Sequence, residues 1–357
     1  MRACLILWLL LSSACCHALK VTFINPGRSD EAYWVAASQA MQAAARSLGV
    51  TLEILYAQRD PQRSQALAGE IADRAAAQRP DYVILVNEKS TLVPTAKLLG
   101  EAGIKSFAAF SGLLPQQRAQ WAPRRGLPLL LGSLEPDAEM AGYLTAKALI
   151  ERGLRERRQG RDRRLHLLAI AGDRSTPTSV RRNEGMRRAV AEQAAQVVLD
   201  QQVYADWRRD QAAQRMQGLL QRHAEASLVW AGNDQMAFGA MDAAQGAGRR
   251  LLYSAINTSP EAIQALREDR LAALAGGHFL VGAWALVMLY DHHQGQDFAD
   301  EGLMLERPMF MLLDRNDARR FEARFGQTMQ GLDFRPFSKA LNPGLRRYRF
   351  NIEALLR

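Results

Sequence analysis

The chain has 357 residues, ample for two α/β lobes that each bury a core. Its 46 Lys and Arg against 37 Asp and Glu give a formal charge of +9. Aromatic residues are absent from the most basic stretch, Arg152 to Arg164, so nucleic acid is excluded as the partner and that stretch is expected to be a solvated helix end and loop.

In chain order, the first feature is an export leader. Arg2 is followed by the short apolar run Leu5 to Ser12, and Cys16-His17-Ala18 ends with small residues at the −3 and −1 positions. The run falls short of the about 20 residues that span a bilayer, so residues 1–18 are expected to be removed and the protein exported to the periplasm. Lipid anchoring through Cys15 or Cys16 is the less favoured alternative, because Ser12 or Ser13 stands where a lipobox requires Leu. All three cysteines (Cys4, Cys15, Cys16) lie in this leader, so the exported chain has no disulfide.

Short β-rich runs then alternate with amphipathic stretches, the signature of parallel sheets with crossover helices. Strands are expected at 21–25, 52–56, 82–86, 106–110 and 128–131, with helices at 33–48, 61–78 and 95–102. After Gly132 the pattern restarts with helices at 138–150, 178–193, 210–223 and 235–246. Strands at 165–171, 197–204, 227–230, 251–256 and 272–275 belong to this second half. A helix at 279–293 follows, then a strand at 303–313 and a polar, basic tail, 316–357, that is partly helical. Ala283 to Tyr290 is read as one buried helix. Asp291-His292-His293 is read as its solvated end and not as a metal site, because neighbouring helical residues point in different directions.

Large rings stand at two strand–helix junctions, one in each half: Glu31-Ala-Tyr-Trp34 and Val203-Tyr-Ala-Asp-Trp207. Such positions suit the walls of a cleft better than a core. They suggest two lobes that close on a flat ligand.

The order and spacing of several segments resemble the type I periplasmic binding proteins, in particular the ribose-binding and autoinducer-2-receptor group. The segments are Lys20 to Gly27 with Glu31-Ala-Tyr-Trp34, Pro80-Asp-Tyr-Val-Ile-Leu-Val-Asn87, Ser179-Val-Arg-Arg-Asn-Glu-Gly185, and Asn233-Asp-Gln-Met-Ala-Phe-Gly239. The resemblance covers about residues 20–313. It implies two Rossmann-like lobes with parallel sheets joined by a multi-crossover hinge. The first lobe would be 19–132 plus 279–303 and the second 133–278 plus 304–315, with 316–357 as an extension beyond the family's usual end.

The resemblance also implies the ligand-binding residues: Tyr33, Trp34, Asn87 and Phe110 from the first lobe, and Arg182, Trp207, Asn233, Asp234 and Asn257 from the second. Aromatic faces pack on the C–H faces of a sugar ring, and a guanidinium fork grips two oxygens. Asn87, Asn233 and Asp234 sit where an Asx residue also serves as a helix cap. Departures from the ribose-type pattern are Phe110 and Asn257 in place of two aspartates and Gly276 in place of a glutamine. Ser111, Asp30, Glu31 or His278 could compensate.

No nucleophile–base arrangement, P-loop or zinc spacing is present, so neither catalysis nor a cofactor or metal is expected. The expected function is capture of a small polar, sugar-like ligand by a monomeric protein that delivers it to an ABC permease. The alternative is a receptor subunit that docks on a membrane sensor kinase or chemoreceptor. An effector core of a repressor would begin with a helix-turn-helix, and this chain begins with a leader.

Overall fold

A computed structural model describes residues 18–326, 329 and 331–356. The expected leader therefore lies outside the described residues, apart from Ala18.

The first six-stranded sheet contains β1 (Lys20–Asn25), β2 (Thr51–Tyr56), β3 (Tyr82–Leu85), β4 (Lys105–Ala109), β5 (Leu130–Pro136) and β11 (Met304–Arg307), in the order β11-β5-β4-β3-β1-β2 and parallel throughout. The second contains β6 (Leu165–Ala171), β7 (Val197–Tyr204), β8 (Leu228–Ala231), β9 (Leu252–Ile256), β10 (Ala273–Gly276) and β12 (Met311–Leu312). Its order, β12-β10-β9-β8-β6-β7, repeats that of the first, and only the short β12 is antiparallel. The fold is thus two doubly wound α/β lobes, as the alternating pattern predicts.

Helices α1 (Ala32–Leu48), α2 (Pro61–Ala72), α3 (Leu92–Glu101) and α4 (Pro115–Trp121) belong to the first lobe. The second carries α5 (Ala138–Arg155), α6 (Pro177–Glu192), α7 (Arg209–Arg222), α8 (Asp234–Gly246) and α9 (Pro260–Arg267). Then α10 (Val281–His293) returns to pack on α1, and α11 (Arg315–Phe325) packs on α9. α10 is buried on all sides from Val281 to Leu289, as its unbroken apolar run predicts.

Several boundaries differ from the sequence reading. The first lobe extends past Gly132, because Ser133 and Leu134 of β5 pair with Ala108 and Ala109 of β4. The expected strand 303–313 is two strands in different lobes: β11 pairs with β5, and β12 with β10. Pro308, which has no N–H to donate, lies in the crossover between them. The expected helix 61–78 stops at Ala72, where the Arg79 guanidinium donates to the carbonyls of Ala72, Arg74 and, just past the end of α3, Ala102, at 2.7–2.9 Å. Sequence reading missed α4 and α9, although each begins with proline at its first turn, and Ser259 caps α9 by accepting from Ala262 N.

The tail is no mere polar extension. It buries Phe321, Phe325, Phe334, Phe337, Tyr348, Phe350 and Ile352 in the main core, with Phe350 stacked 5.5 Å from Trp284 of α10. Nor is Asp291 solvated. It is fully buried and accepts from Lys339 N at 2.7 Å, Tyr348 OH at 2.9 Å, Ala340 N at 3.1 Å and the Ser338 hydroxyl. His292 Nδ1 meets the Tyr82 hydroxyl at 2.9 Å.

Candidate functional site: a cleft between two sheet ends

In both lobes the strand order reverses beside the first strand, and loops after the carboxyl ends of the strands converge there. Between the lobes they enclose a narrow cavity of about 60 Å³. Its walls come from segments that follow β1 to β5 on one side and β6 to β9 on the other, with His278 from the crossover after β10.

The aromatic walls are built by matching devices. After β1, Gly27 gives the Trp34 indole room: a Cβ at that position would stand 1.9 Å from Trp34 Cδ1. After β6, Gly172 does the same for Trp207, where a Cβ would stand 2.3 Å from Cζ2. Tyr33 and Phe110 meet Trp34 edge-on at 5.0 and 5.2 Å, and Phe110 also stacks on Phe23 at 6.0 Å. Tyr33 in turn lies flat on His278, with centroids 4.8 Å apart. The Trp207 indole is fixed by donation from Nε1 to Asp173 Oδ2 at 2.8 Å. Phe110, Trp207 and Asn257 hold positive φ values of 67°, 65° and 97°, so the turns that aim these side chains are locally strained.

Of the nine residues expected to hold ligand, Tyr33, Trp34, Phe110, Arg182, Trp207, Asn233 and Asn257 border this one cavity. Asn87 and Asp234 do not. Asn87 is fully buried and its amide is used up: Nδ2 donates to Gly112 O at 2.7 Å and to Gln117 Oε1 at 3.2 Å, while Oδ1 accepts from Leu92 N at the start of α3. The last of these bonds ties it to the first residue of α3, whose N-cap position is Thr91. Asp234 stands behind the wall, accepting from Asn257 Nδ2 at 3.1 Å and Gln235 N at 2.9 Å. Burial raises the pKa of its carboxyl, against the hydrogen bonds from Ser259 and Asn257. Asn233 reaches the cavity but also caps α8, accepting from Met236 N at 2.8 Å and donating to Trp207 O at 3.2 Å.

Arg182 is almost completely buried. Its Nη1 donates to Gly232 O at 2.7 Å and its Nη2 to His278 Nε2 at 2.9 Å. Burial lowers its pKa to about 10. Burial, and then the neighbouring Arg182 charge, push the His278 pKa well below 6.5, so the ring is neutral. Since Nε2 accepts from Arg182, the network assigns the ring hydrogen to Nδ1.

The sequence reading missed Arg59 and Glu88. Arg59 follows β2 and bridges Glu31, with Nε to Oε2 at 2.9 Å, and Glu88, with Nη1 to Oε1 at 2.6 Å. Burial works against the Arg59 charge, but the two carboxylates raise its pKa above the ordinary value. The only sequence signal was position, since each follows the end of a strand. Of the four possible compensating residues, Ser111, Glu31 and His278 border the cavity, while Asp30 is exposed and pairs with Arg28.

The lobes touch across the cleft. Lys89 N donates to Thr176 Oγ1 at 3.3 Å, Lys89 Nζ lies 3.0 Å from Asp206, Thr178 Oγ1 donates to Phe110 O at 3.4 Å, and Arg181 pairs with Glu306 at 3.1 Å.

Two similar lobes joined by crossovers, with a buried aromatic and polar cleft between the carboxyl ends of their sheets, define a hinged binding protein. Comparison with known proteins agrees. Residues 21–297 match the family described as periplasmic binding protein domain, and the chain belongs to that family. The crystal structure of a periplasmic sugar-binding protein from Pseudomonas fluorescens is 40% identical, with a TM-score of 0.84 over 95% of this chain and 99% of that one. A ribose import binding protein of Haemophilus influenzae is 24% identical over 260 residues, 72% of this chain and 80% of that protein. The ribose import binding protein of Salmonella typhimurium is 34% identical over 110 residues, 30% of this chain and 36% of that protein, so this match spans about a third of the relative's length.

Proposed function

We propose that the protein captures a small, sugar-like solute in the periplasm by closing its two lobes on it, and presents the closed form to an ABC permease. One observation carries the reading: Trp34 of the first lobe and Trp207 of the second border a single cleft between the lobes. Two indoles can pack on the C–H faces of one pyranose or furanose ring while hydroxyls reach the polar rim. A ligand that bridges both lobes has higher affinity for the closed state, and that difference drives closure. The sugar-binding relative from Pseudomonas fluorescens, similar over nearly the full chain, supports the same solute class, and the leader expected from the sequence is consistent with export.

The test is a thermal-shift and calorimetric screen of the exported form against sugars, polyols, furanones and small organic acids. A ligand at 100 times its Kd adds about 2.7 kcal/mol of stability. Trp34→Ala or Trp207→Ala is expected to abolish most of that gain with far-UV circular dichroism preserved. Wild-type responses from both variants would remove the cleft from consideration. Loss of uptake of the same solute in cells lacking the protein tests the permease step.

A further inference from the structure

Four residues around the cavity each carry a buried polar atom without a partner among the described residues: Arg182 Nε, His278 Nδ1, Trp34 Nε1 and Ser111 Oγ. The first three are donors, given the His278 tautomer set by Arg182. Buried donors are normally satisfied, so several around one cavity describe what its occupant must provide. The cavity also holds two carboxylates, but Glu31 and Glu88 are both turned onto Arg59.

The pairing of the charges is uneven. Arg59 has two carboxylate partners, whereas Arg182 has a carbonyl and a neutral imidazole. Asp234 acts on Arg182 through space, yet its oxygens serve Asn257, Ser259 and Gln235 N. It supplies field but no acceptor. A buried guanidinium without a hydrogen-bonded carboxylate is costly and calls for an anion.

Building on the sugar-binding reading, we propose that the cleft selects a monosaccharide bearing an anionic oxygen group, a carboxylate or a phosphate, which docks at Arg182. A neutral sugar hydroxyl could accept from these donors, but each hydroxyl also brings a hydrogen that needs an acceptor. The amide oxygen of Asn233 is taken by Met236 N, which leaves Asn257 Oδ1 and the Glu88 oxygen that Arg59 does not use as side-chain acceptors for such hydrogens, against the larger set of donors. An ionised carboxylate only accepts and so matches a donor-rich end. Trp207 lies beside the Arg182 guanidinium, 5.7 Å from its ring centroid to Cζ, and would keep the sugar ring next to the anion.

The test is calorimetry on the exported form with matched panels: neutral pentoses and hexoses, the corresponding uronic and aldonic acids, and the sugar phosphates. The best acidic member is expected to bind at least about 10-fold tighter than its neutral counterpart, the difference between charge-assisted and neutral hydrogen bonds. Whether the acid or the phosphate prevails identifies the anionic group. Arg182→Gln should erase the preference. Should that variant fail to fold, the wild-type ratio and its decline with added salt decide alone. A neutral sugar that binds as tightly as its acid, or tighter, overturns the inference and leaves the sugar-binding reading standing. If no panel member binds, both fall.

Discussion

Asn87 shows why residue type alone does not assign a role. An asparagine at a strand end suits a ligand hydroxyl and a helix start equally. Three hydrogen bonds tie it to the start of α3 and to the 111–117 loop. His166, on β6 away from the cleft, carries a testable pH dependence. Burial opposes its charge, but Asp200 at 3.0 Å and Asp162 at 3.2 Å hold the proton, and its pKa is raised above 6.5. Glu225 stands at 3.6 Å, Arg161 and Arg164 pair with Glu225 and Asp162, and His223 lies near Asp200. A raised folded-state pKa contributes stability that is complete below the unfolded value and lost as pH rises through the folded one. The Tm of the protein should therefore contain a component that falls as pH rises above about 6.5, and His166→Gln should remove it. An identical slope in both proteins, measured by calorimetry across that range, would refute the assignment.

Among the elements, α10 and the tail depend on each other. The unbroken apolar run from Val281 to Leu289 has no solvent face, so it needs cover on every side. The first sheet and α1 supply part of it, and the tail supplies Phe337, Tyr348 and Phe350. Asp291 fastens that cover through four donors. Asp291→Ala leaves those donors buried and unpaired, and should cost about 2–4 kcal/mol in urea unfolding. It should also speed proteolytic removal of the tail. Unchanged stability and cleavage would mean that the tail is held by its aromatics alone. The apolar run of α10 was legible in sequence, but the function of Asp291 was not, because its partners lie 47 to 57 residues away.

For the whole molecule, the tail also links the lobes. Helix α11 pairs with the second lobe through Arg267–Glu322 and Arg315–Asp269, whereas Phe334 N donates to Ser47 Oγ on the first. Domain closure is thus framed on one side by the crossovers and tail, and on the other by contacts such as Lys89–Asp206. That pair is partly exposed, and such pairs contribute about 0.2–1 kcal/mol. Lys89→Ala should weaken ligand binding by no more than about 5-fold. Small-angle scattering of the ligand-free variant should shift toward a larger radius of gyration. A loss of 100-fold or more would place Lys89 in the ligand site itself.

The sequence by itself determined the two α/β lobes, most of the strands and helices, and the aromatic pair and tryptophan at the strand ends. These depend on local periodicity and on residues close in the chain. Tertiary structure alone decided that β11 joins the first sheet, that Arg59 bridges Glu31 and Glu88, that Arg182 rests on His278, and that Asp291 binds the tail. Each joins segments far apart in sequence, and its stability comes from burial and hydrogen bonding between surfaces that exist only once the lobes have formed.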